Sequence, residues 1–138
     1  MNQAPRSPPP SSDRTAVAVL TVDDQAVFRS VAREVVEATP GFRPAGEAAS
    51  GEEALQLVEA VHPQLVLVDV RMPVMNGLET ARRLSSAHPE LVIVLISLED
   101  RSNLPPTVAS CGAVTFVRKQ DFKPSMLSRL WGIYGPAA

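Results

Sequence analysis

Short, almost unbroken runs of Val and Leu alternate along the chain with longer segments in which apolar residues recur every three or four positions. Apolar runs of this length, without strict alternation, are typical of strands that are covered on both faces of a sheet. The runs at residues 15–22, 64–70 and 91–96 are the strongest strand candidates. Residues 42–48 and 113–118 are weaker candidates for two more strands.

Helical periodicity fills the segments between the strand candidates. Three valines at four-residue steps, with Phe28 alongside them, predict the buried face of a first helix, and charged residues lie on its other face. The valines are Val27, Val31 and Val35, and the charged residues are Arg29, Arg33 and Glu37. Ser50 with Glu53, and Asn76 with Glu79, have the spacing of residues that cap the start of a helix. Pro124 suits the first turn of a last helix. Five strand–helix units of this kind predict a parallel sheet with helices on both faces.

Acidic residues follow two of the predicted strands at the end where such sheets bind ligands. Asp23 and Asp24 come directly after the first strand, and Asp69 closes the third. If these strands are neighbours, three carboxylates meet at one edge of the sheet. Like charges held so close oppose ionisation of one another, and a divalent cation relieves that repulsion. Oxygen ligands from an acidic cluster suit Mg²⁺.

A hydroxyl and an amine are predicted at the same edge. Ser97 follows the fourth strand and Lys119 the fifth. Taken singly, a Ser is usually a turn former, a Lys a surface residue and an Asp a helix cap. Taken together with the carboxylates, they are the groups that phosphoryl transfer needs, since that reaction depends on positioning and charge neutralisation.

Composition narrows the class of protein. The 138 residues are 45% hydrophobic and 20% charged, which is typical of a globular domain. The formal net charge of −2 offers no basic excess for nucleic acid, so we expect no direct nucleic-acid binding. No apolar run reaches the roughly 20 residues of a membrane-spanning helix. The single cysteine, Cys111, excludes an internal disulfide, and we expect a cytoplasmic protein without membrane contact.

The two ends of the chain differ from its middle. Residues 1–14 are rich in Pro and Ser and lack the apolar residues that would offset the entropy of ordering them. We therefore expect a disordered tail over residues 1–14 and one domain over residues 15–134. Residues 135–138 are interpreted as a C-terminal tail or a linker stub.

The order and spacing of these motifs resemble the receiver domains of bacterial two-component response regulators. The likeness extends from residue 15 to about residue 131 and is greatest to the NarL-type branch. The segments that carry it are Val22-Asp23-Asp24, Asp69-Val70-Arg71-Met72-Pro73, Met75-Asn76-Gly77, Ile96-Ser97 and Phe116-Val117-Arg118-Lys119. The resemblance implies a flavodoxin-like, doubly wound sheet in the order 2-1-3-4-5 with five helices.

The resemblance also implies the site residues and their roles. Asp69 would accept a phosphoryl group from a sensor histidine kinase or a phosphotransfer protein. Asp24 and Asp69 would bind Mg²⁺ directly, together with the backbone carbonyl of Arg71. Asp23 would act mainly through a metal-bound water. The domain would be a switch that promotes its own Mg²⁺-dependent phosphorylation and dephosphorylation, and not an enzyme with a separate substrate.

The remaining implied roles concern the conversion of phosphorylation into a surface change. Lys119 would pair with Asp69 and then with the phosphoryl oxygens. Ser97 would hydrogen-bond the phosphoryl group, and Phe116 would swing inward as Ser97 moves. The altered surface would bind an output partner whose identity the sequence leaves open, as it does homodimer formation.

Some residues depart from the family's pattern. Leu98 stands where many receivers have Ala or Gly, which would narrow the access to the acceptor. Gln120 stands where many have Pro, which removes the usual reason for a cis peptide bond. Pro105 and Pro106 fall where a fourth helix should begin, so we expect that helix to start late and be short.

Arg71 and Glu99 should flank the entrance to the site, where their opposite charges could pair.

Three other classes of protein share part of this pattern. A receiver-like module that works by surface contacts alone is the main one, although such modules usually lose the acidic pair, the acceptor or the lysine. A flavin-binding protein would need a Ser/Thr-rich phosphate loop after the first strand, and here that loop is acidic. An aspartate-based phosphatase would need a second Asp two residues after its nucleophile, where this chain has Gln25 or Arg71. NarL-type receivers usually precede a DNA-binding domain, and the sequence leaves open whether this chain is a stand-alone receiver.

Overall fold

The sheet has the predicted number of strands in the part of the chain that the computed structural model describes, residues 15–136. Its strands are β1 (Val17–Val22), β2 (Phe42–Ala48), β3 (Leu65–Asp69), β4 (Val92–Ser97) and β5 (Thr115–Arg118). All pair in parallel, in the order β2-β1-β3-β4-β5. The fold implied by the resemblance is therefore confirmed. The tail predicted over residues 1–14 and the last two residues lie outside the described part.

Four α-helices cover the two faces of this sheet within residues 15–136. They are α1 (Ala26–Glu37), α2 (Gly51–Val61), α3 (Gly77–Ala87) and α4 (Pro124–Tyr134). Helices α1 and α4 pack on one face with Leu65 and Leu67 of β3, whereas α2 and α3 pack on the other with Val66 and Val68. Both faces are apolar, which explains why the central strands are continuous Val and Leu runs. No helix in the described range is long and apolar enough to cross a membrane.

The predicted helix starts are confirmed by their capping contacts. The Ser50 hydroxyl accepts a hydrogen bond from the Glu53 amide at 3.1 Å, and the Glu53 carboxylate accepts one from the Ala49 amide at 2.7 Å. The Asn76 side chain accepts one from the Glu79 amide at 2.9 Å. Each contact satisfies an amide that has no partner inside its helix.

The buried face of α1 differs in part from the prediction, because it is centred on Phe28 and not on the valines beside it. Val27 and Val31 are 77% and 44% exposed, and the residues that meet the sheet are Phe28, Ala32 and Val36. The two stripes are one residue apart, which is about 100° of rotation around a helix. The large Phe28 ring buries more apolar area than a valine, so the stripe that contains it faces the core.

The prediction of a fifth helix between β4 and β5 was wrong. That segment contains two 3₁₀ turns, Arg101–Asn103 and Pro106–Ser110, and no α-helix. Pro105 and Pro106 lack the amide hydrogens that a helical ladder needs, and the second turn closes through the bond from the Val108 amide to the Pro105 carbonyl at 3.0 Å. The region expected to hold a short helix is therefore held by isolated turns.

Candidate functional site

Neighbouring strands bring the three acidic residues together. β1 pairs with β3, with Val22 opposite Val68, so Asp23 and Asp24 emerge beside Asp69. One carboxylate oxygen from each of the three aspartates lies within 4.8 Å of the others. Asp23 and Asp69 are buried, and Asp24 is half-buried. The condition set by the sequence, that these two strands are neighbours, is met.

The turn that carries the first two aspartates is held at several points. The Asp23 amide donates to the Ala48 carbonyl at 3.0 Å, and the Asp23 carboxylate accepts from the Gln25 amide at 2.8 Å. The Arg29 guanidinium donates to the Asp23 carbonyl at 2.7 Å and also pairs with Glu47 at 3.6 Å. Arg29 thereby joins α1, β2 and the acidic turn, a contribution that the sequence analysis missed.

Lys119 lies closer to Asp23 than to its expected partner. Its ammonium is 2.7 Å from the Asp23 Oδ2 atom and 3.6 Å from the Asp69 Oδ1 atom. The short contact is an ion pair without the geometry of a directed hydrogen bond. Lys119 begins the 3₁₀ turn Lys119–Asp121 directly after β5, and its side chain is only 9% exposed. A buried ammonium in this position balances part of the charge of the acidic cluster.

Burial and neighbouring charge alter the acidity of Asp69. Burial, followed by the repulsion of Asp23, raises the pKa of Asp69 from 3.8 to about 6. The Lys119 ammonium and the Arg71 amide, which donates to the Asp69 carboxylate, oppose the rise in pKa, and Asp24 adds to it. The ionised form of Asp69 is therefore destabilised, which is the effect expected for a buried carboxylate that shares a site with like charges.

Ser97 ends β4 with its hydroxyl already engaged. It is 1% exposed, and its Oγ atom accepts a hydrogen bond from the Glu99 amide at 3.0 Å. Glu99 in turn pairs with Arg71, at 2.8 Å between Oε1 and Nε, and Arg71 also lies 3.5 Å from the Asn103 carbonyl oxygen. The expected pairing of Arg71 with Glu99 is thus present. Both side chains are exposed at the rim of the site.

The cavity over the acidic cluster is small and open. It has a volume of about 350 Å³ and is lined by Asp24, Gln25, Asp69, Arg71, Ser97, Leu98, Glu99 and Lys119. Leu98 lies at the rim of this cavity and is 68% exposed. The Lys119–Gln120 peptide bond is trans, like all other bonds in residues 15–136.

Phe116 lies one strand away from the cavity, on β5. Its side chain is half-buried against the core on the α2–α3 side of the sheet. It also lines a groove of about 470 Å³ between β5 and α4. Leu95, which precedes Ser97 on β4, is the pairing partner of Phe116. The structure therefore places Phe116 between the site and an open surface.

The loop after Asp69 combines a required glycine with a strained valine. A Cβ atom at Gly77 would collide with the Asp69 carbonyl group, so only glycine lets the start of α3 come this close to Asp69. The Gly77 amide donates to the Val70 carbonyl at 2.9 Å. Val74 has a φ of 66° and is 95% exposed. A β-branched residue is strained in that left-handed conformation.

Curated proteins similar to this chain include regulators and an enzyme. Nitrate/nitrite response regulator protein NarL of Escherichia coli K12 is 31% identical over 84% of this chain and 53% of its own length. The protein-glutamate methylesterase/protein-glutamine glutaminase of Treponema denticola is 35% identical over 75% of this chain and 28% of its own length. The chain therefore spans about half, or less, of the curated relatives that it matches.

Solved structures show the same fold. The signal receiver domain of a NarL response regulator from Mycobacterium tuberculosis matches with a TM-score of 0.74 and 29% identity, over 85% of this chain and 98% of that chain. The response regulator domain of Thermotoga maritima CheB matches with a TM-score of 0.77 and 22% identity, over 89% of this chain and 99% of that chain. The family model for the response regulator receiver domain matches residues 19–130. The chain belongs to the response regulator receiver family, and the likeness to its NarL-type branch is confirmed.

Proposed function

We propose that residues 15–134 form a phosphorylation-controlled switch whose phosphoacceptor is Asp69. The observation that carries the proposal is the convergence of an acidic cluster and a buried ammonium on this one carboxylate. Oxygens of Asp23, Asp24 and Asp69 lie within 4.8 Å of one another, and the Lys119 ammonium lies 3.6 Å from Asp69. A carboxylate nucleophile with neutralising charge around it is what phosphoryl transfer requires.

The transfer step is a displacement at phosphorus. An ionised oxygen of Asp69 attacks the phosphorus of a phosphohistidine on a sensor histidine kinase or phosphotransfer protein. The new P–O bond forms as the P–N bond breaks, and the departing imidazole takes up a proton from solvent. The pKa of about 6 leaves Asp69 largely ionised at neutral pH, when it can act as the nucleophile.

The acidic cluster fits Mg²⁺ in its donor set, because that ion prefers carboxylate, carbonyl and water oxygens. Asp24 and Asp69 would hold the ion directly, with the backbone carbonyl of Arg71. Asp23 would act through a bound water, since its carboxylate is fully buried and already paired with Lys119. When bound, the ion neutralises charge that develops on the transferring phosphoryl oxygens.

Two further side chains respond to the phosphoryl group in this proposal. The Lys119 ammonium moves the short distance from Asp23 to a phosphoryl oxygen. The Ser97 hydroxyl gives up its bond from the Glu99 amide and donates to the phosphoryl group. Phe116 then fills the space that the Ser97 loop leaves, which changes the groove between β5 and α4 and so the surface offered to an output partner. We place these events in the cytoplasm, which fits the free, buried thiol of Cys111.

Intact mass after incubation with acetyl phosphate and Mg²⁺ tests the acceptor. We expect the wild-type chain to gain the mass of one phosphoryl group and Asp69→Ala to gain none. Asp121→Asn, which alters an exposed aspartate outside the cluster, serves as the matched control and should gain the full mass. A wild type that gains no mass would instead favour an interaction module that works without phosphate.

A second measurement tests the switch. Beryllofluoride, a phosphoryl mimic, should shift the amide NMR signals of β5 and of residues 98–112 in the wild type. Ser97→Ala should still bind the mimic at Asp69 but lose most of the shifts around Phe116. Full wild-type shifts in Ser97→Ala would refute the coupling between Ser97 and Phe116, but they would not contradict the assignment of Asp69 as the acceptor.

A further inference from the structure

An aromatic ring on α1 contacts the lysine of the site. Phe28 is 8% exposed and belongs to the core on the α1–α4 side of the sheet. The Lys119 ammonium lies over its ring, 4.7 Å from the ring centroid. A cation over the face of an aromatic ring is attracted by the negative charge of that face, most strongly where water is excluded. The 9% exposure of the Lys119 side chain places this contact in such an environment.

The same ring also holds the turn from which Lys119 projects. Phe122 packs on Phe28 with 6.2 Å between ring centroids and a tilt of 50°. The Phe122 amide donates to the Lys119 carbonyl at 3.2 Å, which closes the 3₁₀ turn between them. Both the first residue of this turn and the residue that follows it therefore rest on Phe28.

Lysine needs such support because its side chain is long and loses considerable rotamer freedom when it is fixed. Attraction to Asp23 alone, whose carboxylate is 2.7 Å away, would allow the Lys119 ammonium many orientations around that carboxylate. The Phe28 ring restricts the ammonium from a third side. In that position it is also 3.6 Å from Asp69.

We propose that Phe28 is a positioning residue for phosphoryl transfer, whose ring holds the Lys119 ammonium within reach of Asp69. The inference rests on the proposed function of Asp69 and deepens it. It assigns no contact between Phe28 and the phosphoryl group. The ring acts through Lys119 and through the turn that carries it.

The test separates the ring's electrostatic face from its volume. Phe28→Leu keeps an apolar side chain and removes the aromatic face. Replacement of Phe28 by pentafluorophenylalanine keeps an aromatic ring of similar shape and abolishes the negative charge of its face, so it guards against simple loss of folding. Phe42→Leu is the matched control, because Phe42 is equally buried in the same core and contacts Trp131 instead of the lysine.

Two readouts are needed. The rate of mass gain from acetyl phosphate at saturating Mg²⁺ should fall about tenfold in both Phe28 variants and stay near wild type in Phe42→Leu. The ε-methylene protons of Lys119 should show an upfield ring-current shift in the NMR spectrum of the wild type, and Phe28→Leu should lose it. The stabilisation by Mg²⁺ should persist in every variant, since Phe28 is no metal ligand.

Three results would each overturn a different claim. Wild-type rates in both Phe28 variants, or an equal loss of rate in Phe42→Leu, would overturn the positioning role while the wild type still accepts phosphate. Absence of the Lys119 ring-current shift in the wild type would overturn the contact itself. A wild type that gains no phosphate would refute the proposed function, an outcome distinct from both of these.

Discussion

Replacement of Asp69 by asparagine tests the electrostatics of the site without any phosphodonor. In the folded protein, burial and the charge of Asp23 raise the pKa of Asp69 from 3.8 to about 6. Asp69→Asn keeps the shape of the side chain and removes the charge. We therefore expect the variant to be more stable than the wild type at neutral pH in the absence of Mg²⁺, and we expect this advantage to shrink in acid.

The sign and size follow from proton linkage. Between the two pKa values the folded protein keeps a proton on Asp69 that the unfolded chain has released, so the wild-type free energy of unfolding falls as pH rises through this window. The full difference between the two pKa values corresponds to about 3 kcal/mol of unfolding free energy. About 2 kcal/mol of this change falls between about pH 4.5 and about pH 7.5. Water in the open cavity screens part of this cost, so the expected change is about 1–2 kcal/mol.

Urea unfolding followed by circular dichroism, with EDTA present, measures the effect. The quantity of interest is the difference in unfolding free energy between Asp69→Asn and the wild type at each pH. This difference should grow by about 1–2 kcal/mol from acid to neutral pH. It should stay flat for Asp121→Asn, which changes an exposed aspartate. A difference for Asp69→Asn that is independent of pH, or largest in acid, would refute the electrostatic reasoning.

Three further predictions concern the metal, the rim of the cavity and the strained Val74. Millimolar Mg²⁺ should raise the melting temperature of the wild type, and the gain in unfolding free energy should be about 2.7 kcal/mol at a hundredfold excess of Mg²⁺ over its dissociation constant. Asp24→Ala should lose most of this rise. A wild type whose melting temperature does not respond to Mg²⁺ would contradict the assignment of the metal site. Exchanging both Arg71 and Glu99 for alanine should speed loss of the phosphoryl group by removing the pair that shields the cavity, while stability changes by only about 0–1 kcal/mol. If the phosphoryl lifetime, measured by intact mass over time, is unchanged in this variant, the Arg71–Glu99 pair does not shield the cavity. Val74→Gly should stabilise the fold by about 1 kcal/mol in urea unfolding because it relieves left-handed strain at an exposed position. Val27→Gly, at an exposed helical position, should have the opposite effect.

The placement of the acidic cluster could be predicted because it depends on topology. Buried parallel strands have a distinctive composition, and their carboxyl ends all lie at one edge of the sheet. A residue that follows a Val and Leu run is therefore assigned to that edge, and residues that follow neighbouring strands lie close together. This logic placed Asp23, Asp24 and Asp69 together, and it brought Ser97 and Lys119 to the same edge.

The contacts made by long side chains could not be predicted in this way. Lys119 was expected beside Asp69 and lies nearer to Asp23. The lysine leaves β5 on the side of the sheet covered by α1, where Phe28 and the buried Asp23 carboxylate lie. The valine pattern also placed the buried face of α1 one residue away from the stripe that meets the sheet. The spacing put Phe28 beside these valines, but it gave no sign of the contact between the Phe28 ring and the Lys119 ammonium.

The segment between β4 and β5 shows the limit of prediction from single residues. Two prolines correctly indicated an obstacle to helix formation, but not that the helix would be replaced entirely by 3₁₀ turns. An α-helix would have held this segment by its own hydrogen-bond ladder. Here exposed ion pairs, Arg71 with Glu99 and Arg118 with Asp100, are among the side-chain links that connect the segment to the rest of the domain.

This architecture affects the energy of the proposed switch. For Ser97 to reach a phosphoryl group, its loop must exchange the bond from the Glu99 amide and disturb the Arg71–Glu99 pair. An exposed pair of this kind contributes about 0–1 kcal/mol, and one neutral hydrogen bond about 1 kcal/mol. A charge-assisted bond from Ser97 to a phosphoryl oxygen is worth about twice a neutral one and can offset that cost. Because no α-helix has to move as a unit, a small difference in contact energy at Asp69 is enough to shift the population of the segment next to Phe116.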